Sequence, residues 1–332
     1  MPKLPRVSGN IAVKVLVLRG GPGCERQVSL ASGGCVAAAL RQAGHRVTEA
    51  DINPDDLSAL DEKKSGHFDI VFPMIHGTFG EDGQLQEIME QRGVQFVGSN
   101  SKSSRLAMDK FQSKKAFTKA GLLTPKAELL ERSKLRMACC GNSDECFGAV
   151  LDELSLPCVI KPNAQGSSVG VVIAAQREQA ISAVRDALTE YGNCLVEEFI
   201  DGREFTVGIV GGQVLPVLEV RPAERFYDYR AKYLADDTGY IFDSGLSGEE
   251  LDNIQEIALC AFLSLGCRDL ARVDMIRDTA GRVYVLEVNT LPGFTDHSLV
   301  PKAAARVGMS MEKLCDQIVQ MALKRPICKS SC

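Results

Sequence analysis

No apolar run in this 332-residue chain approaches the roughly 20 residues needed to cross a bilayer, and its start lacks a leader-type pattern. No membrane partner is expected, and the expected location is the cytoplasm. Excess positive charge is missing too: 38 Lys and Arg stand against 43 Asp and Glu, a formal net charge of −5. That balance argues against a polyanion-binding surface, so no nucleic-acid partner is expected, and a phosphate-rich ligand would have to be met by local cation clusters. The 12 cysteines contain no Cys-x-x-Cys pair. Cys139, Cys140 and Cys146 cluster and Cys328 and Cys332 close the chain. A zinc or redox centre is the sharper reading; reduced, mostly buried thiols are the better one, since metal-ligand spacing is missing. Two phosphate-binding fingerprints are also absent. Gly21-Pro22-Gly23-Cys24-Glu25-Arg26 carries Arg where the third glycine of a dinucleotide turn belongs, which weighs against an NAD-binding oxidoreductase. No Gly-Lys-Ser/Thr opens a helix, so there is no Walker loop.

What is present is an ordinary globular composition, 45% apolar and 24% charged, with length for two or three domains. Residues 13–19, 45–52, 68–75 and 94–97 read as strands, and 28–42 and 84–91 as helices. This alternation predicts an α/β region built on a parallel sheet and ending near residues 101–104. Beyond it, 106–119 reads as a helix, 156–162 and 171–174 as strands around a Gly/Ser loop, and 178–189 as a helix. Residues 194–200 and 204–210 follow as strands, 249–265 as a helix, 290–301 as a loop and 311–324 as a closing helix. Residues 225–233 are aromatic and charged, too polar for core, and suit a lid-type loop.

The stretch 272–289 predicts a hairpin around Asp278-Thr279-Ala280-Gly281. Side chains alternate faces, so Arg272, Asp274, Glu287 and Asn289 share one face. Val273, Met275, Tyr284, Leu286 and Val288 share the other. A loop of even length sets Asp274 opposite Glu287 and Arg272 opposite Asn289. An odd loop sets Leu286 opposite Asp274 and scrambles the faces. Two carboxylates and an amide together suit a hard divalent cation. The plainer reading is a solvated sheet face steadied by cross-strand Arg pairs.

Other chemistry-bearing residues lie at element ends. Glu25 follows the first strand, where ligands of open α/β sheets sit. His76 ends a strand and is placed to touch substrate, while Glu81 and Asp82 read as N-terminal charges of the next helix. Lys110 in a first helical turn opposes the macrodipole and so calls for a partner elsewhere. Lys161 precedes a loop whose backbone N–H groups and hydroxyls, Ser167 and Ser168 among them, can fold over phosphates. Lys110, Lys161 and Lys232, this loop and the carboxylate pair are the parts that a metal-bound triphosphate needs.

Seven motifs, in order, carry a resemblance over nearly the whole chain: Glu25-x-x-Val28-Ser29-Leu30, His76-Gly-x-x-Gly-Glu-Asp-Gly83, Met108-Asp-Lys110, Lys161-Pro-x-x-x-Gly-Ser-Ser-Val-Gly170, Phe226-Tyr-Asp-Tyr-x-Ala-Lys-Tyr233, Arg272-x-Asp274, and Glu287-x-Asn-Thr-x-Pro-Gly293 with His297-Ser-Leu299. The chain resembles the D-alanine–D-alanine ligases of the ATP-grasp superfamily. The resemblance implies an ATP-grasp fold, α+β in its ATP-binding part. Residues 1–104 would form an N-terminal domain for the first D-alanine, 105–198 a central subdomain, and 199–332 a C-terminal subdomain with metal site and lid. It further implies cell-wall peptidoglycan synthesis and a homodimer.

The resemblance also implies residue roles. Lys110 and Lys161 would hold the α- and β-phosphates of ATP, with Ser168 in the loop over them, and Lys232 the γ-phosphate. Glu197 would face the adenine amino group, Glu198 and Ile200 would offer backbone groups to the ring, and Glu204 would bind ribose. Asp274, Glu287 and Asn289 would hold two Mg²⁺, with Mn²⁺ as a substitute. Glu25 would pair with the first D-alanine's ammonium, and His76 and Tyr227 would border the substrate. Ser298 and the Leu299 backbone would bind the second carboxylate. Ser167 and Tyr233 would link Glu25 to the closed lid, and Arg272 and the Gly293 N–H would stabilise an oxyanion. The Gly-Pro-Gly-Cys turn before Glu25 departs from the family's frequent Ser, and 134–148 has no clear counterpart. A D-alanyl-D-lactate or D-alanyl-D-serine ligase is the same-fold alternative; Tyr233 favours the dipeptide.

Overall fold

The computed structural model describes residues 12–62, 66–133, 150–151, 154–221 and 239–326. Three sheets follow one another along the chain. The first is parallel, ordered β2 (Arg46–Ala50), β1 (Lys14–Arg19), β3 (Ile70–Met74). Its central strand is covered on both faces, as parallel strands usually are. Val15 and Val17 pack toward α1 (Arg26–Gln42), while Leu16 and Leu18 pack toward α2 (Gln84–Gln91). The strand expected at 94–97 reduces to one parallel bridge, Val71 to Phe96.

The helix expected from residue 106 is two helices, α3 (Ser101–Met108) and α4 (Lys110–Lys119). Asp109 breaks them with an extended backbone, and its carboxylate caps the second by accepting from Gln112 N–H at 3.0 Å. Lys110 therefore opens α4 instead of lying within a longer helix.

The second sheet is antiparallel, ordered β4 (Ala127–Leu130), β7 (Cys194–Glu198), β5 (Cys158–Pro162), β6 (Val172–Ala174), and is backed by α5 (Arg177–Glu190). The third runs β11 (Gly239–Ile241), β10 (Leu218–Arg221), β8 (Gly202–Val210), β12 (Leu270–Asp278), β13 (Val283–Asn289), with β9 (Gln213–Val214) on β8. Residues of α3, α4 and α6 (Gly248–Ser264) share its core cluster. A capping box starts α6: Ser247 Oγ accepts from Glu250 N–H, and Glu250 Oε2 accepts from Ser247 N–H. Ser247→Ala is expected to lower stability by about 1 kcal/mol, read as a lower urea midpoint; an unchanged midpoint would show that the cap is dispensable.

The hairpin of β12 and β13 departs from the even-loop condition. Asp278 N–H bonds the Arg282 carbonyl at 2.9 Å, so three residues, Thr279 to Gly281, make the turn. Gly281 sits at φ +86°, the left-handed position that a three-residue hairpin turn requires. This odd turn sets Met275 opposite Val285. A bulge then inserts Leu286, and the register beyond it pairs Asp274 with Glu287 and Arg272 with Asn289. The expected pairs are present, but Leu286 leaves the core face: Val283, Val285 and Val288 join Val273 and Met275 in the core.

Residues 299–306, expected to begin as loop, form α7 (Leu299–Arg306), and α8 (Met311–Leu323) packs on the first sheet. Among the described residues no helix is long and apolar enough to cross a membrane. The described cysteines are free; burial raises the thiol pKa of Cys158, Cys194, Cys267 and Cys315, which suits inert packing.

Candidate active site

Two cavities meet between the second and third sheets. The larger, about 770 Å³, is bordered by Lys161, Ser168, Glu197, Glu198, Ile200, Glu204, Asp274 and Leu299, with apolar walls from Val159, Ile173, Phe199, Met275 and Leu286. The smaller is bordered by Glu81, Ser167, Arg272 and Asn289. Lys110, Gln165 and Glu287 border both. The large one is of the size and mixed character of a cofactor cleft.

Lys110 has the partners that its place in the first turn of α4 called for. Its Nζ donates to the Gln165 carbonyl at 2.7 Å and lies 3.1 Å from Glu287 Oε2. On the opposing strand Arg272 grips Asp274 through two hydrogen bonds, 2.9 and 2.7 Å. This Arg pairing runs along β12, from Arg272 to Asp274 two residues on. Thr206 on β8 donates to the same carboxylate at 2.7 Å. Asn289 Oδ1 accepts from Leu291 N–H at 2.9 Å.

These three side chains offer hard oxygens on one face, and two carboxylates plus one amide leave further positions for phosphate oxygens and water. That set fits Mg²⁺, which is commonly held by one or two carboxylates and substrate phosphates. Among the described residues no group of three or more His, Cys, Asp or Glu gathers, here or elsewhere, so the hairpin set depends on its amide and on oxygens from substrate and water.

Glu197 is buried at 2% exposure, although the residue borders the cleft. Lys161 Nζ lies 2.8 Å from its Oε2 and Lys114 Nζ 3.1 Å from its Oε1. Burial alone would raise its pKa, but Lys161 and Lys114 outweigh that and hold it below the carboxylate range. Lys114 itself is lowered to about 8, chiefly by burial, with Glu197 opposing. Lys114 was missed in the sequence; its only signal is an i, i+4 spacing from Lys110. Glu198 Oε1 accepts from Lys126 N–H, and the Glu198 N–H is itself engaged by the Lys126 carbonyl.

At the other end, Glu25 immediately precedes α1 and is 8% exposed. Ser167 Oγ donates to Glu25 Oε1 across the sequence. Ser167 and Ser168 both adopt positive φ, +53° and +56°, which turns the loop sharply above the cleft. His76 Nδ1 lies 3.0 Å from Glu81 Oε1, and its Nε2 lies 3.3 Å from Ser32 Oγ. An ionised Glu81 can only accept, so Nδ1 donates to it; in the neutral ring Nε2 then accepts from Ser32 Oγ, which itself accepts from Phe294 N–H. Glu81 therefore serves His76 and not the helix; Asp82 alone meets the α2 start, accepting from Gln84 N–H.

Ser298 immediately precedes α7 without capping it, its Oγ instead accepting from Thr295 N–H at 2.9 Å. The first-turn N–H groups beginning at Leu299 thus lack a side-chain cap, a ready site for a carboxylate. Gly293 lies against Ser298: a Cβ there would come 2.9 Å from its Oγ. Tyr227, Lys232 and Tyr233 lie outside the described residues; the flanking Arg221 and Gly239 pair across β10 and β11.

Residues 117–320 match the model for the D-ala D-ala ligase C-terminus, and 48–99 that for the N-terminus. The chain is 42% identical over 306 residues to D-alanine–D-alanine ligase B of Chromobacterium violaceum, covering 92% of this chain and 96% of that one. It is 40% identical to the Marinomonas sp. D-alanine–D-alanine ligase, over 93% of this chain and 95% of that one. The fold superposes on the Bacillus anthracis D-alanine–D-alanine ligase complexed with ATP at TM-score 0.79 and 32% identity, covering 94% and 98% of the two chains. The VanG D-Ala:D-Ser ligase from Enterococcus faecalis gives 0.80 at 27% identity, with 94% and 100% covered. These relatives set aside an oxidoreductase, and the chain belongs to the D-alanine–D-alanine ligase family, with the ATP-grasp fold.

Proposed function

We propose that the chain joins two D-alanines into D-alanyl-D-alanine for peptidoglycan synthesis in the cytoplasm, converting ATP to ADP and phosphate. The observation that carries this reading is the junction of the two cavities at Lys110, Gln165 and Glu287. A nucleotide in the large cleft would present its terminal phosphate where Arg272 and Ser167 border the small one. Lys110, Lys161 and Ser168 would bind phosphates, Glu204 the ribose, and the Glu198–Ile200 segment the base edge. Lys232 would reach the γ-phosphate. Asp274, Glu287 and Asn289 would hold two Mg²⁺, which supply neutralisation of phosphate charge when bound.

Glu25, fixed by Ser167, would take the first D-alanine's ammonium, with His76 and Tyr227 beside it and Tyr233 completing the link. That substrate's carboxylate attacks the γ-phosphorus, the bond to ADP breaks, and an acyl phosphate forms. The second D-alanine, held by its carboxylate at Ser298 and the Leu299 N–H, attacks with its amine. Arg272 and the Gly293 N–H stabilise the resulting oxyanion, each donor worth roughly 3–4 kcal/mol in such sites, before phosphate leaves.

Incubation with ATP, Mg²⁺ and D-alanine is expected to release ADP and dipeptide together; the absence of both would reject the reading. Because one structural relative is named a D-Ala:D-Ser ligase, competition with D-serine and D-lactate decides the second substrate. D-alanyl-D-alanine is expected to dominate.

A further inference from the structure

We infer that Lys114, set behind Glu197, is a positioning residue for nucleobase choice: it fixes Glu197 as an ionised acceptor that admits a 6-amino purine and turns away a 6-oxo purine. This rests on the reading of the large cleft as a purine nucleotide site.

Lys114 is 4% exposed, and its Nζ is fixed from several sides. It donates to Thr124 Oγ1 at 2.9 Å and to the Pro125 carbonyl at 3.0 Å, and it lies 3.1 Å from Glu197 Oε1. Thr124 Oγ1 in turn donates to the Val285 carbonyl of β13 at 2.8 Å, so the ammonium is anchored to the third sheet. Glu197 Oε2 is held by Lys161 at 2.8 Å. Glu197 Oε1 is buried with the Lys114 ammonium 3.1 Å away, a contact not aligned as a regular hydrogen bond, and no other described donor meets it. An oxygen so placed, on a residue that borders the cleft, can take an N–H donor from a ligand. Val159, Phe199 and Met275 border the same cleft, apolar walls suited to a flat ring.

A 6-amino group brings that N–H donor. A 6-oxo group brings a lone pair against a negative oxygen and is repelled. The discrimination requires that Glu197 stay ionised and stay in place, because a protonated carboxyl could donate to a 6-oxo group. Lys161 also borders the cleft, and once it turns toward a phosphate, Lys114 is the cation left to Glu197.

The test compares KM for ATP and for GTP in nucleoside diphosphate release with D-alanine and Mg²⁺, in the full chain and in Lys114→Met and Lys114→Arg. The wild-type chain is expected to prefer ATP. Lys114→Met should narrow the preference roughly tenfold, the lower range for a hydrogen bond to a charged group, and kcat should change less than KM. Lys114→Arg, which keeps the charge, should restore part of the preference. An undiminished preference in Lys114→Met, or an equal rise in both KM values, overturns the role of Lys114. A wild-type chain without ATP preference overturns the reading of the cleft instead. If Lys114→Met does not accumulate as folded protein, Thr124→Val loosens the ammonium while keeping its charge; the ratio should shift the same way, and an unchanged ratio overturns the proposal.

Discussion

Arg272→Met is expected to lower kcat roughly 100- to 1,000-fold, the loss seen when one donor to a developing oxyanion is removed. Arg272 occupies the right face of the hairpin for this, bordering the small cavity with Ser167 and Glu287. It is also the two-point partner of Asp274, at 2.9 and 2.7 Å. The substitution therefore has two separable consequences. Loss of the guanidinium removes stabilisation that matters only as the carbonyl becomes tetrahedral, so kcat falls. Loss of the ion pair leaves the Asp274 charge without its Arg partner and open to a cation, so KM for Mg²⁺-ATP should not rise. Steady-state measurement of both parameters checks this, and unchanged kcat would place Arg272 outside the reacting centre. Arg272→Lys should recover little, since an ammonium lacks the planar fork that grips a carboxylate at two points.

Gly77→Ala is expected to raise KM for the first D-alanine by roughly 100-fold, within the value of a hydrogen bond to a charged group, with KM for ATP little changed. The reason is local. Gly77 has φ +75°, and a Cβ built there would lie 2.5 Å from Glu25 Oε2. Alanine can adopt that backbone at about 1–2 kcal/mol, so the protein should still fold. Glu25, however, has to move, and its other oxygen is bound to Ser167. Kinetics at varied D-alanine, with thermal melting as the folding control, measure the effect. If Gly77→Ala leaves both D-alanine KM values unchanged while Glu25→Gln raises one, Glu25 accommodates the methyl group and the close approach is unimportant. Unchanged KM values in both variants would remove Glu25 from substrate binding.

The parts of this site that the sequence made legible are those set by short-range rules. Alternation along 272–289 placed Arg272 and Asp274 on one face, and the first-turn position of Lys110 implied a distant partner. What stayed hidden depended on tertiary contact. Nothing local to Lys114 announces a buried carboxylate, because Glu197 arrives from another sheet. Glu81 looked like a helix-start charge because His76 turns back onto it only once the glycine loop is folded. The helix at 299–306 was obscured by Pro301, yet a proline in the first turn lacks only an N–H that would have no intrahelical partner there. The odd turn could not be counted from sequence, because the run around Gly281 allows several closures. The hairpin pairs were reached by a different route from the one expected, through an odd turn and a compensating bulge.

That bulge bears on how freely the chain can vary. Leu286 divides the hairpin into a turn half and a site half whose registers are set separately. The bulge lies in β13 alone: β8 holds β12 in one unbroken register from Leu270 to Asp278, with Gly208 and Thr206 opposite Arg272 and Asp274. The turn half ends at Thr279, five residues and roughly 17 Å beyond Asp274 along an extended strand. A length change at the turn can be taken up by creating, moving or erasing one bulge before it reaches the carboxylates. Insertions and deletions are therefore most tolerable at the turn, while β8 keeps Asp274 and Arg272 at the reacting end.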